Sequence, residues 1–234
     1  MWRGTITAMR ARQKHQLWHR IRGAVEGYAV GIVRFIGESY GRETLQQAWL
    51  EFTSGTAAAF RLDDPHTELF FSWLFHRWSP TREKGNKVKE WSLYGMPPTR
   101  AYLERNWPQL DPLLRRYLET CLVTSPGFYE VADCEPCVGF QARDVMTGSE
   151  CEVSEEAAST SLNDGDIMFA HLVPMEGATM LEAISPMSFP PLFKRRLSRL
   201  CRRQEVGVRR AGELQELYCT FAQPGVARSA GPTH

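Results

Sequence analysis

The sequence predicts an α+β fold: an N-terminal helical domain, a small β-barrel-like module and a C-terminal basic helix. Three observations predict it. Apolar residues recur at helical spacing through the first half; short apolar strands separated by Gly-containing turns fill 128–185; a basic stretch with its own apolar stripe follows Pro191. The organisation expected is 1–126 helical with an aromatic central helix, 127–187 antiparallel and barrel-like, 188–222 helical, and a disordered tail over 223–234.

Leu17, Ile21, Val25, Tyr28, Ile32 and Phe35 place one stripe on a helix over 13–36. A second helix over 43–52 carries Leu45, Ala48, Trp49 and Phe52 on one side. Asp64-Pro65 is a helix start, because Asp accepts from free amides and Pro sits where no donor is needed. The helix that follows holds Leu69, Phe70, Phe71, Trp73, Leu74, Phe75 and Trp78, ends by Pro80, and is apolar nearly all round. It is the expected centre of the first domain, with Trp73 in the core. Helices over 99–107 and 111–123 come next, the second opened by Asp111-Pro112 and striped by Leu114, Tyr117, Leu118 and Cys121. Ser125-Pro126-Gly127 is a turn and the expected domain boundary.

Beyond it the period changes to two. Val138, Phe140 and Ala142 alternate with Gln141 and Arg143, and a hairpin turn at Met146-Thr147-Gly148-Ser149 leads to Cys151 and Val153. Asn163-Asp164-Gly165-Asp166 feeds the run Ile167 to Val173, apolar on both faces, as a strand covered on both sides requires. Met175-Glu176-Gly177-Ala178 closes the last hairpin onto a strand over 179–184. After Pro190-Pro191, Leu192, Phe193, Leu197 and Leu200 oppose a basic face, and a last helix is expected over 211–221.

The net charge of +1 hides a segregation of sign. Six basic residues and no acid precede Glu26, and eight basic residues between Lys194 and Arg210 face the single acid Glu205. Between Asp133 and Asp166 nine acids face only Arg143, so the barrel-like module is poorly suited to grip a phosphate backbone. The apolar run 28–36 is interrupted by Gly31 and Arg34 and falls short of the roughly 20 residues that span a bilayer. A cytoplasmic protein without membrane contact is expected, and its six cysteines read as reduced thiols. The Arg-rich start resembles an organellar targeting segment, but a short basic helix or an imprecise start codon accounts for it as well and is the reading preferred.

Four strings carry a resemblance: Phe70-Phe71-Ser72-Trp73-Leu74-Phe75-His76-Arg77-Trp78-Ser79-Pro80, Phe128-Tyr129-Glu130-Val131, Arg143-Asp144-Val145-Met146-Thr147-Gly148, and Ser159-Thr160-Ser161-Leu162-Asn163-Asp164-Gly165-Asp166. In that order they resemble a bacterial protein family often found with a SEC-C metal-binding motif. The resemblance implies a helical domain joined to a β-module and brings no activity with it. The Cys-rich metal motif itself is missing from this sequence.

Cys134-Glu135-Pro136-Cys137 is the lone Cys-x-x-Cys, and a tetrahedral metal would need two further ligands, for which Cys151 and His171 are the candidates. No metal and no cofactor are expected: the resemblance implies a Gly-containing turn here without a cysteine pair, and a predicted hairpin, unlike a helix start, does not favour a redox-active thiolate. His66 reads as a polar first-turn residue and His76 as a partly exposed one. Asp63-Asp64 reads as capping and Glu155-Glu156 as a solvated turn. A nucleophile elbow, a phosphate-binding loop and a His-Glu-x-x-His are all absent.

The role expected is therefore that of a non-catalytic interaction or adaptor protein with a protein partner. One alternative is a nucleic-acid-associated factor binding through its basic ends, with Lys194, Arg195, Arg199, Arg202 and Arg203 as contacts to nucleic acid or to an acidic partner. The loop with Arg82, Lys84, Lys87 and Lys89 beside Trp91 and Tyr94 belongs to the same reading. Another alternative is a hydrolase or nuclease whose site assembles from distant segments. For the basic C-terminal helix, docking on the acidic module is expected.

Overall fold

Gly27 divides the N-terminal stripe. In the computed structural model, which describes residues 16–55, 59–85, 88–189, 191–195, 197 and 218, helix α1 (16–25) ends at a two-residue turn. Helix α2 (Tyr28–Ser39) begins after it, with Gly27 at φ 77°. The single helix expected over 13–36 is thus an elbow; the left-handed backbone that Gly tolerates changes the axis without disturbing the apolar spacing. Helices α3 (Thr44–Phe52), α4 (Thr67–His76), α5 (Pro98–Asn106) and α6 (Pro112–Val123) follow as the sequence predicts. Asp111 caps α6 by accepting from the amides of Leu113 and Leu114. Asp64 accepts from the amide of His66, although α4 begins at Thr67.

Leu69, Phe70, Leu74 and Phe75 of α4 are buried to about the limit, and Phe70 meets Trp49 edge to face at 5.1 Å. Trp73 is only partly buried and packs on Phe52 at 5.5 Å. It lies at the margin of the core rather than inside it, because α3 covers one side of its ring. The fully buried Phe70 occupies the centre in its place.

The second half is a closed five-stranded barrel, β1 (Gly127–Glu135), β2 (Gly139–Asp144), β3 (Glu150–Ser154), β4 (Ile167–Met175) and β5 (Ala178–Ile184), in the order β1-β2-β3-β5-β4. All neighbours are antiparallel except β3 and β5, which meet in parallel at Val153 and Thr179. Seven consecutive residues of β4, Ile167 to Val173, are buried. Both faces of the strand are covered as predicted: Met168, Ala170 and Leu172 fill the barrel with Val131, Phe140 and Val153, while Phe169 and Val173 point into the helical core. Phe140 and Ala142 are inward as expected, but Val138 is exposed because it lies in the β1–β2 turn instead of the strand. The boundary at Gly127 coincides with the start of β1, yet one apolar cluster runs from α1 through α6 into β4 and β5.

Gly139 opens β2 where the strands approach closely: an added Cβ would lie 2.1 Å from the carbonyl oxygen of Val153. Gly139→Ala is expected to destabilise the protein by about 1–3 kcal/mol, as a forced backbone shift does in a packed core. A urea titration checks this; an unchanged midpoint would mean that the β2–β3 edge yields freely.

The C-terminal basic segment docks in its described part. Phe193 and Leu197 are buried, Leu192 is exposed, and Lys194 Nζ lies 2.5 Å from Glu130 Oε2 on β1. Tyr218 stacks on Phe169 with centroids 4.7 Å apart. Arg199, Arg202, Arg203, most of 211–221 and the tail over 223–234 lie outside the described residues.

Candidate functional site

The polar chemistry collects where helices meet the barrel. On α4, Ser72 and His76 are four residues apart and share the face turned to the sheet. On α6, Tyr117 and Cys121 have the same spacing. Opposite them stands Glu182 of β5. His171 pairs with Ala183 and Leu172 with Leu181, so Glu182 is the extra residue of a β-bulge. The bulge resets the alternation: Leu181 and Ile184 pack with the barrel interior, while Ala183 packs with the helices.

Glu182 accepts a short hydrogen bond from the Tyr28 hydroxyl at Oε1, and one from the Tyr117 hydroxyl at Oε2, 2.5 Å long. His76 Nε2 lies 3.2 Å from Oε1, and Nδ1 of the same ring lies 3.0 Å from Thr99 Oγ1 on α5. One carboxylate therefore ties α2, α4 and α6 to the barrel. Burial opposes its charge, but the hydrogen bonds and electrostatic pull of His76, Tyr117 and Tyr28 outweigh it and hold the carboxyl below its ordinary value. Burial first, and the Glu182 charge second, push the Tyr28 and Tyr117 hydroxyls well up, so both stay protonated donors. The same two causes, in the same order, raise the Cys121 thiol.

His171 forms a second node. Thr124 Oγ1 donates to the Thr120 carbonyl at 2.9 Å, so it must accept from His171 Nε2, also at 2.9 Å. His171 Nδ1 is then the acceptor for the Ser72 hydroxyl at 2.8 Å. Burial, then the neighbouring His76, lowers its pKa to about 3. The ring is neutral and bridges α4, α6 and β4.

Beside Glu182 a cleft of about 970 Å³ opens between the α1–α2 elbow, α4 and the barrel. Its walls are aromatic (Tyr28, Phe71, Phe75, Tyr117), and its charged groups are Glu26, Glu68, Glu155 and Glu182 against Arg22, with His19 at the edge. Arg22 Nη2 reaches Glu155 Oε2 at 3.4 Å across the opening. Glu155, expected in a solvated turn, is buried, because α1 lies over it.

The residues singled out by sequence are dispersed. Cys134 Sγ is 3.5 Å from the carbonyls of Ser159 and Leu162, Cys137 is exposed in the β1–β2 turn, and Cys151 lines a separate depression with Thr179. His171 is buried in the node above. Among the described residues these four do not gather into a metal-holding cluster. His76, expected to be partly exposed, is 1% exposed, because β5 packs over the end of α4. In the basic loop, Arg82 lies over the Trp91 ring at 3.6 Å and Lys84 pairs with Glu51 at 2.7 Å; Lys87 is outside the described residues. Arg195 is exposed.

Sequence reasoning missed Glu182, and read Tyr28, Tyr117 and Cys121 only as stripe. One signal was present: Glu182 is the single acid within the apolar run 178–184. No protein-family model, no curated protein and no solved structure matches the chain. Among the described residues no helix is long and apolar enough to cross a membrane.

Proposed function

We propose that the chain is a non-catalytic binding protein that takes a basic protein segment into the cleft beside Glu182. The cleft carries the reading: four carboxylates against one guanidinium, set among four aromatic rings, suit a Lys or Arg side chain. Five exposed acids of the barrel, Asp133, Glu135, Glu150, Glu152 and Glu156, extend the same sign over the rest of the module. The remaining acids of that stretch serve the fold; Asp144, Asp164 and Asp166 accept from backbone amides at turns. Five-stranded barrels of this size in other proteins bind through loops and one face, which supports the reading by analogy of architecture alone.

An affinity pull-down from native lysate, run with and without nuclease, tests the partner class. Capture of a protein that survives nuclease supports the reading; material released by nuclease moves the assignment to nucleic acid. Glu26 and Glu68 are exposed on the cleft wall, so Glu26→Lys with Glu68→Lys is expected to weaken binding of a Lys/Arg-rich peptide by on the order of tenfold. Fluorescence anisotropy at two salt concentrations reads this, and equal affinity of variant and parent would remove the cleft from the interface.

A further inference from the structure

We infer that His76, Cys121 and Glu182 form a binding site for a single zinc-class divalent ion. The three side chains come from α4, α6 and β5, and their ligand atoms all lie within 4.8 Å of one another. An imidazole, a thiol and a carboxylate are the three donor types that zinc accepts, and the mixture of nitrogen, sulfur and oxygen disfavours magnesium and calcium. His76 Nε2 and Glu182 Oε1 are 3.2 Å apart. Adjacent nitrogen and oxygen ligands around a tetrahedral ion stand about 3.3 Å apart when each bond is about 2.0–2.1 Å. The pair is therefore already spaced to share an ion, and with all three ligand atoms within 4.8 Å the sulfur has to close in by roughly 1 Å at most, a shift within reach of a side-chain rotation.

The surroundings support these roles. Thr99 Oγ1 holds His76 Nδ1, as the outer nitrogen of a metal-bound imidazole is usually held, leaving Nε2 to coordinate. Tyr28 and Tyr117 occupy one lone pair on each oxygen of Glu182, and of the roughly four lone-pair sites of a carboxylate the rest stay available to an ion. Glu182 lines the cleft, which supplies an entry path. Coordination breaks the Cys121 S–H bond and the His76 Nε2–H bond; sulfur and nitrogen each keep the electron pair and donate it to the ion, the ring proton is carried at Nδ1 and donated to Thr99 Oγ1, and the thiol proton leaves to solvent. Three protein ligands leave a fourth position for water or for an atom of a bound partner. The site stands on its own geometry, whatever segment the cleft receives.

The test is titration of the reduced, metal-free full chain with cobalt(II), a spectroscopic stand-in for zinc. The expected result is one ion per chain, a thiolate-to-cobalt charge-transfer band in the near ultraviolet, and the visible bands of a tetrahedral ion. Zinc displaces the cobalt and erases both. Cys121→Ser abolishes the charge-transfer band, with folding checked by circular dichroism, while a variant carrying Ser at the other five cysteines keeps it. Absence of the band in the unaltered chain, its survival in Cys121→Ser, or its loss when Cys121 is the sole cysteine would each overturn the assignment. The sole-cysteine variant decides the matter even if Cys121→Ser does not fold.

Discussion

Glu182→Ala is expected to cost about 3–5 kcal/mol, as removal of one partner from a buried ionic network does. The loss is large because three donors depend on the one carboxylate. Without it the Tyr28 and Tyr117 hydroxyls and His76 Nε2 stay buried and unmatched, each at the desolvation cost of an unpaired polar group. Tyr28→Phe or Tyr117→Phe removes one donor and leaves the acceptor supplied by the others, so each is expected to cost about 1 kcal/mol. Glu182→Gln keeps the volume and an acceptor and should fall between. Equilibrium urea unfolding followed by tryptophan fluorescence and far-ultraviolet dichroism measures the series. Because Glu182 ties the helical layer to the barrel, the two signals should separate in Glu182→Ala and coincide in the parent. A loss near 1 kcal/mol with coincident transitions would show that apolar packing alone joins the layers.

The sign of the pH effect at Glu182 follows from its depressed carboxyl. The folded group binds its proton less readily than the unfolded one, so its contribution is complete above the ordinary value of 4.5. It is lost as the pH falls through the folded value.

What the sequence made legible were elements whose evidence is local. Ile167 to Val173 announced a strand covered on both faces by composition alone, and those seven residues of β4 are buried without a break. Asp111-Pro112 marked the start of α6, and the Asp side chain caps it. The elbow at Gly27 stayed hidden because Val25 and Tyr28 keep a helical interval across it. The site was hidden for a different reason. An acid at an outward position of a strand looks solvated, and only the bulge in β5 and the helices laid over it put Glu182 inside. His76 likewise stood next to Arg77 at a helix end, which reads as exposure until β5 is placed above it. The metal-like spacing of Cys134 and Cys137 is local too, and it pointed away from Cys121, which periodicity had filed as core. Charge segregation was legible as a count; that Glu155 is covered by α1 while Glu26 and Glu68 face the cleft is tertiary information.

Acid is expected to destabilise the protein through His171, in a window that opens above the titration of its carboxylates. The unfolded imidazole takes up a proton near 6.5, whereas the folded one is lowered to about 3 by burial and by the adjacent His76. Its depressed value means that stability is full above pH 6.5 and falls as the pH drops toward 3. With one extra proton bound by the unfolded chain, the slope is about 1.4 kcal/mol per pH unit, and the whole window amounts to on the order of 5 kcal/mol. Several groups surround the ring. Ser72 and Thr124 hold it in the Nε2–H form, the His76 ring lies 5.8 Å away, Arg77 disfavours its charge and Glu182 favours it. The difference between parent and His171→Gln in unfolding free energy between pH 6.5 and pH 5 isolates the effect, since carboxylates are largely ionised there and the other five histidines are common to both. His171→Gln is expected to be less stable at neutral pH and to show a slope smaller by one proton. The ring resonances of His171 should stay those of a neutral imidazole down to pH 5. Titration of that ring near 6.5, or equal slopes in variant and parent, would mean that water or a local opening reaches the node and that His171 does not hold the helices to β4 as a neutral bridge.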